Sequence, residues 1–167
     1  SPTKARTFNY ILKSKNLEDK NNYFVFASMG HIRDLPKSKI AIDYDKDFKP
    51  ELEPILNKEK VITQLKKLAA DNQEIILATD QDREGEAISY HIAYILGYID
   101  ENWPSIGFKK GLTLKRIVFH EITPKALAEA LANPETLRLD LVKAQMARRI
   151  LDRVVGYELS PLLWKKT

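Results

Sequence analysis

The chain is expected to fold as an α/β protein with a mainly parallel sheet flanked by helices, followed by a helical segment of a second domain. Apolar strand-like runs alternate along it with runs of helical period. Helix-start signals such as Thr123-Pro124 stand ahead of the helical runs. Residues 74–78 read as a buried strand that runs straight into an acidic turn, and open α/β sheets bind ligands beyond the carboxyl ends of their strands.

The first helix is expected at once, with Ser1 as its cap, Pro2 in its first turn, and Ala5, Phe8, Ile11 and Leu12 on one face. Such a fold places a strand before this helix, so a strand is expected just upstream of Ser1. Residues 23–28 read as a short strand, residues 29–36 as a loop, and residues 37–54 as irregular, with Pro50 and Pro54 as breakers. A second helix starts at Asn57 or Lys58 and carries Val61, Ile62, Leu65, Leu68 and Ala69 inward; Asp71-Asn72 then turns the chain. Residues 83–96 form a helix and residues 115–119 a strand. Thr123-Pro124 caps a helix over residues 125–131, and Asn133-Pro134 ends it. The last helix spans residues 139–155, with Leu139, Val142, Met146, Ile150 and Val154 as its apolar stripe and Gly156 as its C-cap. The domain division expected is residues 1–134 and residues 135–167.

The length of 167 residues suits one domain, or one domain and the start of another. Apolar residues make up 44% and charged residues 30%, enough for a core under a well-solvated surface. A net charge of +4 and a pI of about 9.1 permit a polyanionic partner without requiring one. The chain has no cysteine, which excludes disulfides, zinc ribbons and thiol catalysis within it. No apolar run has the length of a membrane span, and no signal-peptide core opens the chain, so a cytoplasmic protein with no membrane partner is expected. The absence of an initiator Met before Ser1-Pro2 reads as a boundary within a longer protein.

The acidic turn carries Asp80, Asp82, Glu84 and Glu86 directly after the apolar strand. Crowded carboxylates repel one another, and a divalent cation relieves that cost. Oxygen donors without cysteine favour Mg²⁺ or Mn²⁺ over zinc, and Mg²⁺ typically takes one or two carboxylates, several waters and a phosphate. The alternative is that these acids cap the next helix and complement its dipole, the commoner use of such a pattern. Glu86 reads as a helix-face residue. Gly85 either permits a close approach of backbone or phosphate or is incidental, and Arg83 either pairs with Asp80 or Glu84 or contacts a phosphate.

The stretch Ala78-Thr79-Asp80-Gln81-Asp82-Arg83-Glu84-Gly85-Glu86-Ala87-Ile88 resembles the Toprim acidic motif of type IA DNA topoisomerases. Residues 1–7, with Lys4, resemble that family's first-helix motif. Residues 30–36, with His31, resemble its second-strand loop. Residues 144–157 and 160–166 resemble the start of its single-strand-binding domain. These blocks agree in order and spacing over nearly the whole chain, and residues 57–62 lean towards bacterial topoisomerase I.

The resemblance implies a Toprim, Rossmann-like fold and a fragment of an enzyme that relaxes supercoiled DNA through a transient 5′-phosphotyrosine and strand passage. It implies that Asp80, Asp82 and Glu84 form an acidic triad for Mg²⁺, with Mn²⁺ possible and no zinc. Lys4 is implied at the scissile phosphate. His31, Arg148, Arg149, Asp152, Tyr157 and Trp164 are implied in DNA binding, to single-stranded segments of negatively supercoiled duplex, by a monomer at the nucleoid. Bland alternatives stand beside these. His31 also suits a turn, Arg148 and Asp152 are spaced for an intrahelical ion pair, and Trp164 suits a core anchor as well as a base-stacking surface. The glutamate that the family places before the first helix is absent from the chain. Met146 and His120 replace the family's usual Gln and Asn. None of Tyr10, Tyr23, Tyr44, Tyr90, Tyr94, Tyr98 or Tyr157 matches the nucleophile motif, so the chain alone is expected to be inactive. A Toprim module of a primase or nuclease, or a non-catalytic metal-stabilised DNA-binding module, are the competing readings.

Overall fold

The computed structural model describes residues 2–13, 23–72, 74–112 and 114–165, with side chains described between residues 3 and 158. In chain order the elements are α1 (Pro2–Lys13), β1 (Arg33–Asp34), β2 (Ile42–Asp43), β3 (Lys49–Pro50), β4 (Glu53–Pro54), α2 (Glu59–Asp71), β5 (Ile76–Leu77), α3 (Arg83–Ile95), β6 (Ile99–Asn102), β7 (Ser105–Phe108), β8 (Lys115–Arg116), α4 (Pro124–Ala132) and α5 (Leu139–Lys165). Short 3-10 turns cover Tyr44–Lys46 and Leu56–Lys58. The capping expected of Ser1 and the side chain of Trp164 lie outside the described residues.

The α/β architecture is built around the parallel pair β5–β8, in register Ile76 with Lys115 and Leu77 with Arg116. Alternation along the strand sends neighbouring side chains to opposite faces. Leu77 therefore joins one core with Ile32, Tyr90, Ala93, Val142 and Met146, under α3 and the first half of α5. Ile76 and Ile117 join the other with Phe8 and Ile11 of α1 and Leu127 and Ala130 of α4. A third cluster, Leu35, Ala41 and Ile42, packs against Ile150 and Val154 farther along α5.

The core pair β5–β8 is parallel, as expected of the α/β class, and among the described residues the separate pairs β1–β4, β2–β3 and β6–β7 are antiparallel. Several local expectations need correction. Residues 23–28 form no strand, and no strand pairs with them among the described residues; Val25 packs inward while Phe24 is exposed. The loop over residues 29–36 contains β1, and the irregular stretch contains β2, β3 and β4. The hairpin β6–β7 was not expected; a cis Trp103–Pro104 bond lies in its turn.

Gly156 is not a C-cap. The helix α5 continues through it to Lys165, and an alanine Cβ at Gly156 would meet nothing within 4 Å. At Gly85 the opposite holds, since a Cβ would lie 1.9 Å from the carbonyl oxygen of Asp80. The close approach left open at Gly85 is thus to the backbone of the acidic turn itself. Gly85→Ala is accordingly expected to lower unfolding stability by about 2 kcal/mol through forced opening of that turn. Gly156→Ala is expected to raise it by about 0.5 to 1 kcal/mol as a helix-interior replacement. Urea unfolding of both variants checks this; a silent Gly85→Ala or a destabilising Gly156→Ala would contradict the geometry.

Candidate nucleic-acid and metal site

The acidic turn begins where β5 ends, and α3 begins within it. Asp82 is the N-cap of α3, its Oδ1 accepting from Gly85 N at 2.7 Å. This satisfies one of the helix's free N–H groups. The capping alternative is therefore realised at Asp82, whose other carboxylate oxygen carries no bond to a described residue. The Thr79 hydroxyl donates to Gly85 O at 2.6 Å and lies 2.6 Å from Ser89 Oγ, which ties the turn to the helix it starts.

Asp80 and Glu84 take different partners. Lys4, from α1, forms an ion pair with Asp80. His31 Nε2 lies 2.7 Å from Glu84 Oε2, and Gln145 of α5 donates to Glu84 Oε1 at 3.5 Å. The hydrogen bond from His31 holds the Glu84 carboxyl below its ordinary value, against a smaller opposing effect of burial. Met29 and Gly30, both at positive φ, bring His31 round to this place. Lys58 secures the bend by donating to the Met29 carbonyl at 2.6 Å. Arg83 pairs with neither Asp80 nor Glu84 among the described residues.

Asp80, Asp82 and Glu84 do not form a preassembled three-carboxylate cage, since no group of three or more Asp, Glu or His side chains converges to hold a metal among the described residues. Asp80 and Glu84 are well exposed, with side chains 56% and 66% accessible. An exposed carboxylate set without thiols fits a hard cation taken through one or two carboxylates plus water and phosphate. Asp80 and Asp82 are the residues that would hold it.

The reading of Glu86 as a helix-face residue is wrong. Glu86 is fully buried and ion-paired with Arg116, each side chain 1% accessible. A glutamate in the first turn of a helix reads as a dipole partner, and only the fold shows that it faces a buried arginine 30 residues away.

On α5 the expected DNA residues divide. Arg149 makes a two-pronged ion pair with Asp34 of β1, Nε to Oδ1 at 3.1 Å and Nη2 to Oδ2 at 2.9 Å. Partial burial raises the Asp34 carboxyl, but the bonds from Arg149 and Leu35 N outweigh it and hold it below its ordinary value. Arg153 donates to the carbonyls of Pro36 and Lys39, both at 2.7 Å, and its guanidinium stands 5.8 Å from the Tyr157 ring centre. Arg148 and Asp152 are exposed and form no ion pair with one another among the described residues. Tyr157 is 40% exposed on the same helix.

Between these parts lies a cavity of about 190 Å³, lined by His31, Asp34, Glu84, His91, Gln145 and Arg149 among others. Burial pushes the His91 imidazole down to about 3, with Arg33 and His31 adding to the effect, so it is neutral at physiological pH. Its ring centre is 6.0 Å from that of His31. Sequence reasoning singled out neither Asp34, Gln145 nor His91. The signal for Asp34 was available, since an arginine on the flank of a packed helix calls for a carboxylate and Asp34 sits in the same motif as His31.

The depressed Asp34 carboxyl has a pH signature. A carboxylate whose pKa is lowered by folding adds stability above its unfolded value and loses it as pH falls through the folded one. Asp34→Asn is expected to cost on the order of 1 kcal/mol at neutral pH, because the pair is partly solvated. That difference from the parent chain should vanish as pH drops below 3.8. Unfolding of both proteins across the acid range tests this; a pH-independent difference would contradict it.

The Toprim domain family model matches residues 1–122. DNA topoisomerase 1 of Thermotoga maritima is 50% identical over 165 residues, which cover 99% of this chain and 23% of that relative. DNA topoisomerase 1 of Campylobacter jejuni is 48% identical over 167 residues, covering 99% of this chain and 21% of the relative. The structure of full-length topoisomerase I from Thermotoga maritima matches with a TM-score of 0.79 at 50% identity, over 98% of this chain and 25% of that one. The chain spans a quarter or less of the length of these relatives. With its acidic turn at the end of a central parallel strand and a family match over most of its length, the chain belongs to the Toprim domain family.

Proposed function

We propose that the chain supplies the metal-binding acidic site and the opening of the single-strand groove of a type IA DNA topoisomerase. The observation that carries this reading is the meeting of Lys4, His31, Asp80 and Glu84 from three separate segments, beside the flank of α5 that bears Gln145. The activity comes from the relatives, both called DNA topoisomerase 1. In this reading residues 1–134 are the Toprim domain and residues 135–167 begin the helical DNA-binding domain. The whole protein relaxes supercoiled DNA by breaking one strand through a 5′-phosphotyrosine, passing a strand and resealing. It acts as a monomer on single-stranded segments of negatively supercoiled duplex, in the cytoplasm at the nucleoid. No helix among the described residues is long and apolar enough to cross a membrane.

Each residue then has a role. Asp80 and Asp82 hold Mg²⁺, with Mn²⁺ as substitute, and Glu84 completes or organises the set. The bound cation supplies neutralisation of phosphate charge. Lys4 exchanges Asp80 for an oxygen of the scissile phosphate and offsets charge developing there. His31 contacts DNA from its place beside Glu84. Arg148 meets the strand directly, Arg149 exchanges Asp34 for phosphate, Asp152 orients the arginines, and Tyr157 and Trp164 offer stacking faces. The nucleophilic tyrosine belongs to another part of the protein. A primase or nuclease Toprim module is disfavoured because the likeness to topoisomerases continues through the α5 segment.

Water-proton relaxation should show weak Mn²⁺ binding by the chain that Asp80→Asn with Asp82→Asn abolishes; unchanged binding in the double variant would sink the metal assignment. For DNA, Arg148→Ala should weaken single-strand binding and flatten its log–log salt dependence by roughly 0.7. Equal affinity and slope would remove Arg148 from the groove. Incubated with supercoiled plasmid and Mg²⁺, the chain should form no protein-linked DNA end on a denaturing gel. Such an end would place the nucleophile within residues 1–167 and overturn the proposal.

A further inference from the structure

The roles proposed above leave the buried pair Glu86–Arg116 without a task. Its geometry points away from simple packing. The guanidinium spends all five of its N–H donors: Nε and Nη2 on Glu86 Oε1, Nη1 on the carbonyls of Ile117 at 2.8 Å and Leu77 at 3.4 Å, and Nη2 also on the carbonyl of Asp80 at 3.0 Å. Leu77 closes β5, Asp80 opens the acidic turn, and Ile117 follows β8. One side chain thus joins the end of one strand, the turn and the neighbouring strand. The second oxygen of Glu86 accepts from Arg138 N at 3.0 Å, the residue before α5. A buried ion pair is often no more stabilising than apolar side chains of the same volume, so stability alone gives no reason for it here.

A second constraint acts on the same atom. The Asp80 carbonyl oxygen lies against the Cα of Gly85, where a Cβ would stand 1.9 Å from it. The oxygen is confined between Gly85 on one side and Arg116 on the other. Confining it sets the direction in which the Asp80 side chain leaves the turn. We propose that Arg116, oriented by Glu86, is the positioning residue of the acidic turn, fixing the backbone from which Asp80 is presented to a divalent cation and tying that backbone to the start of α5. The cation part of this statement rests on the metal reading given under Proposed function. A lysine cannot replace the arginine, because one ammonium cannot reach three carbonyls and a carboxylate in the planar fork arrangement.

The test uses the whole chain as wild type, as Arg116→Lys, and as Arg116→Met combined with Glu86→Leu, which fills the same space without charge. Amide hydrogen exchange over residues 79–86 is measured together with Mn²⁺ affinity by water-proton relaxation and the melting temperature. The proposal expects the apolar double variant to stay folded, to exchange faster in residues 79–86 than in the rest of the core, and to bind Mn²⁺ about tenfold more weakly or worse. A folded double variant with unchanged turn exchange and unchanged Mn²⁺ affinity would overturn it, as would exchange that speeds up evenly along the chain. Should the double variant fail to fold, Arg116→Lys decides by the same local exchange. If wild-type chain takes up no Mn²⁺ at all, the metal reading fails on its own, and the turn exchange still decides whether Arg116 positions the turn.

Discussion

The carbonyl oxygen of Asp80 is where the sheet, the acidic turn and the long helix meet. It sits against the bare Cα of Gly85 and receives a bond from Arg116, whose charge is balanced by Glu86, and Glu86 in turn holds the peptide before α5. Ionic groups buried this deeply are tolerable only when every donor and acceptor is met, and here all of them are. The consequence reaches past local order. The β5–β8 pair is only two residues long on each strand, so the backbone around the turn draws its definition from this side-chain network as well as from the ladder.

Around that fixed point, half-buried cations take weaker, partly solvated contacts. Lys4 rests on Asp80, His31 on Glu84, and Arg149 on Asp34. Exchange of a protein carboxylate for a DNA phosphate at such a cation costs little, because the pair it breaks contributes little in water. Arg153 differs: its Nη1 donates to the carbonyls of Pro36, Lys39 and Ile40, which ties the 36–40 segment to α5. The same helix therefore serves as wall of the core, clamp for a loop and candidate face for DNA.

The parts of this fold written in local chemistry were legible in the sequence. Thr123-Pro124 starts α4, Asp82 starts α3, and the apolar residues before Asp80 form β5, because capping and hydrophobic runs act over a few residues. The hairpin β6–β7 escaped notice because Asp100, Glu101, Asn102 and Pro104 break the usual strand pattern. Glu101 is instead drawn inward by Arg33 and Tyr90, at 2.8 and 2.5 Å. Gly156 read as a helix end because glycine commonly is one, yet nothing obliges it to be when the flanking residues continue the helix. Among the candidate site residues, motif resemblance singled out Lys4, His31, Asp80 and Glu84, and Lys4 contacts Asp80 while His31 contacts Glu84. The Asp34–Arg149 and Glu86–Arg116 pairs were not legible, since each joins residues far apart in sequence through contacts that only the fold creates.

The central claim is that these residues form the metal-dependent part of a DNA topoisomerase. Its most direct measurement replaces the matching 165-residue segment of Thermotoga maritima DNA topoisomerase 1 with this chain, whose identity to it is 50%, and follows relaxation of supercoiled plasmid with Mg²⁺. The account predicts that the chimera relaxes DNA and that Asp80→Ala within it abolishes or severely slows relaxation while the protein stays folded. A folded chimera that cannot relax DNA, or one that Asp80→Ala leaves at full rate, would contradict it.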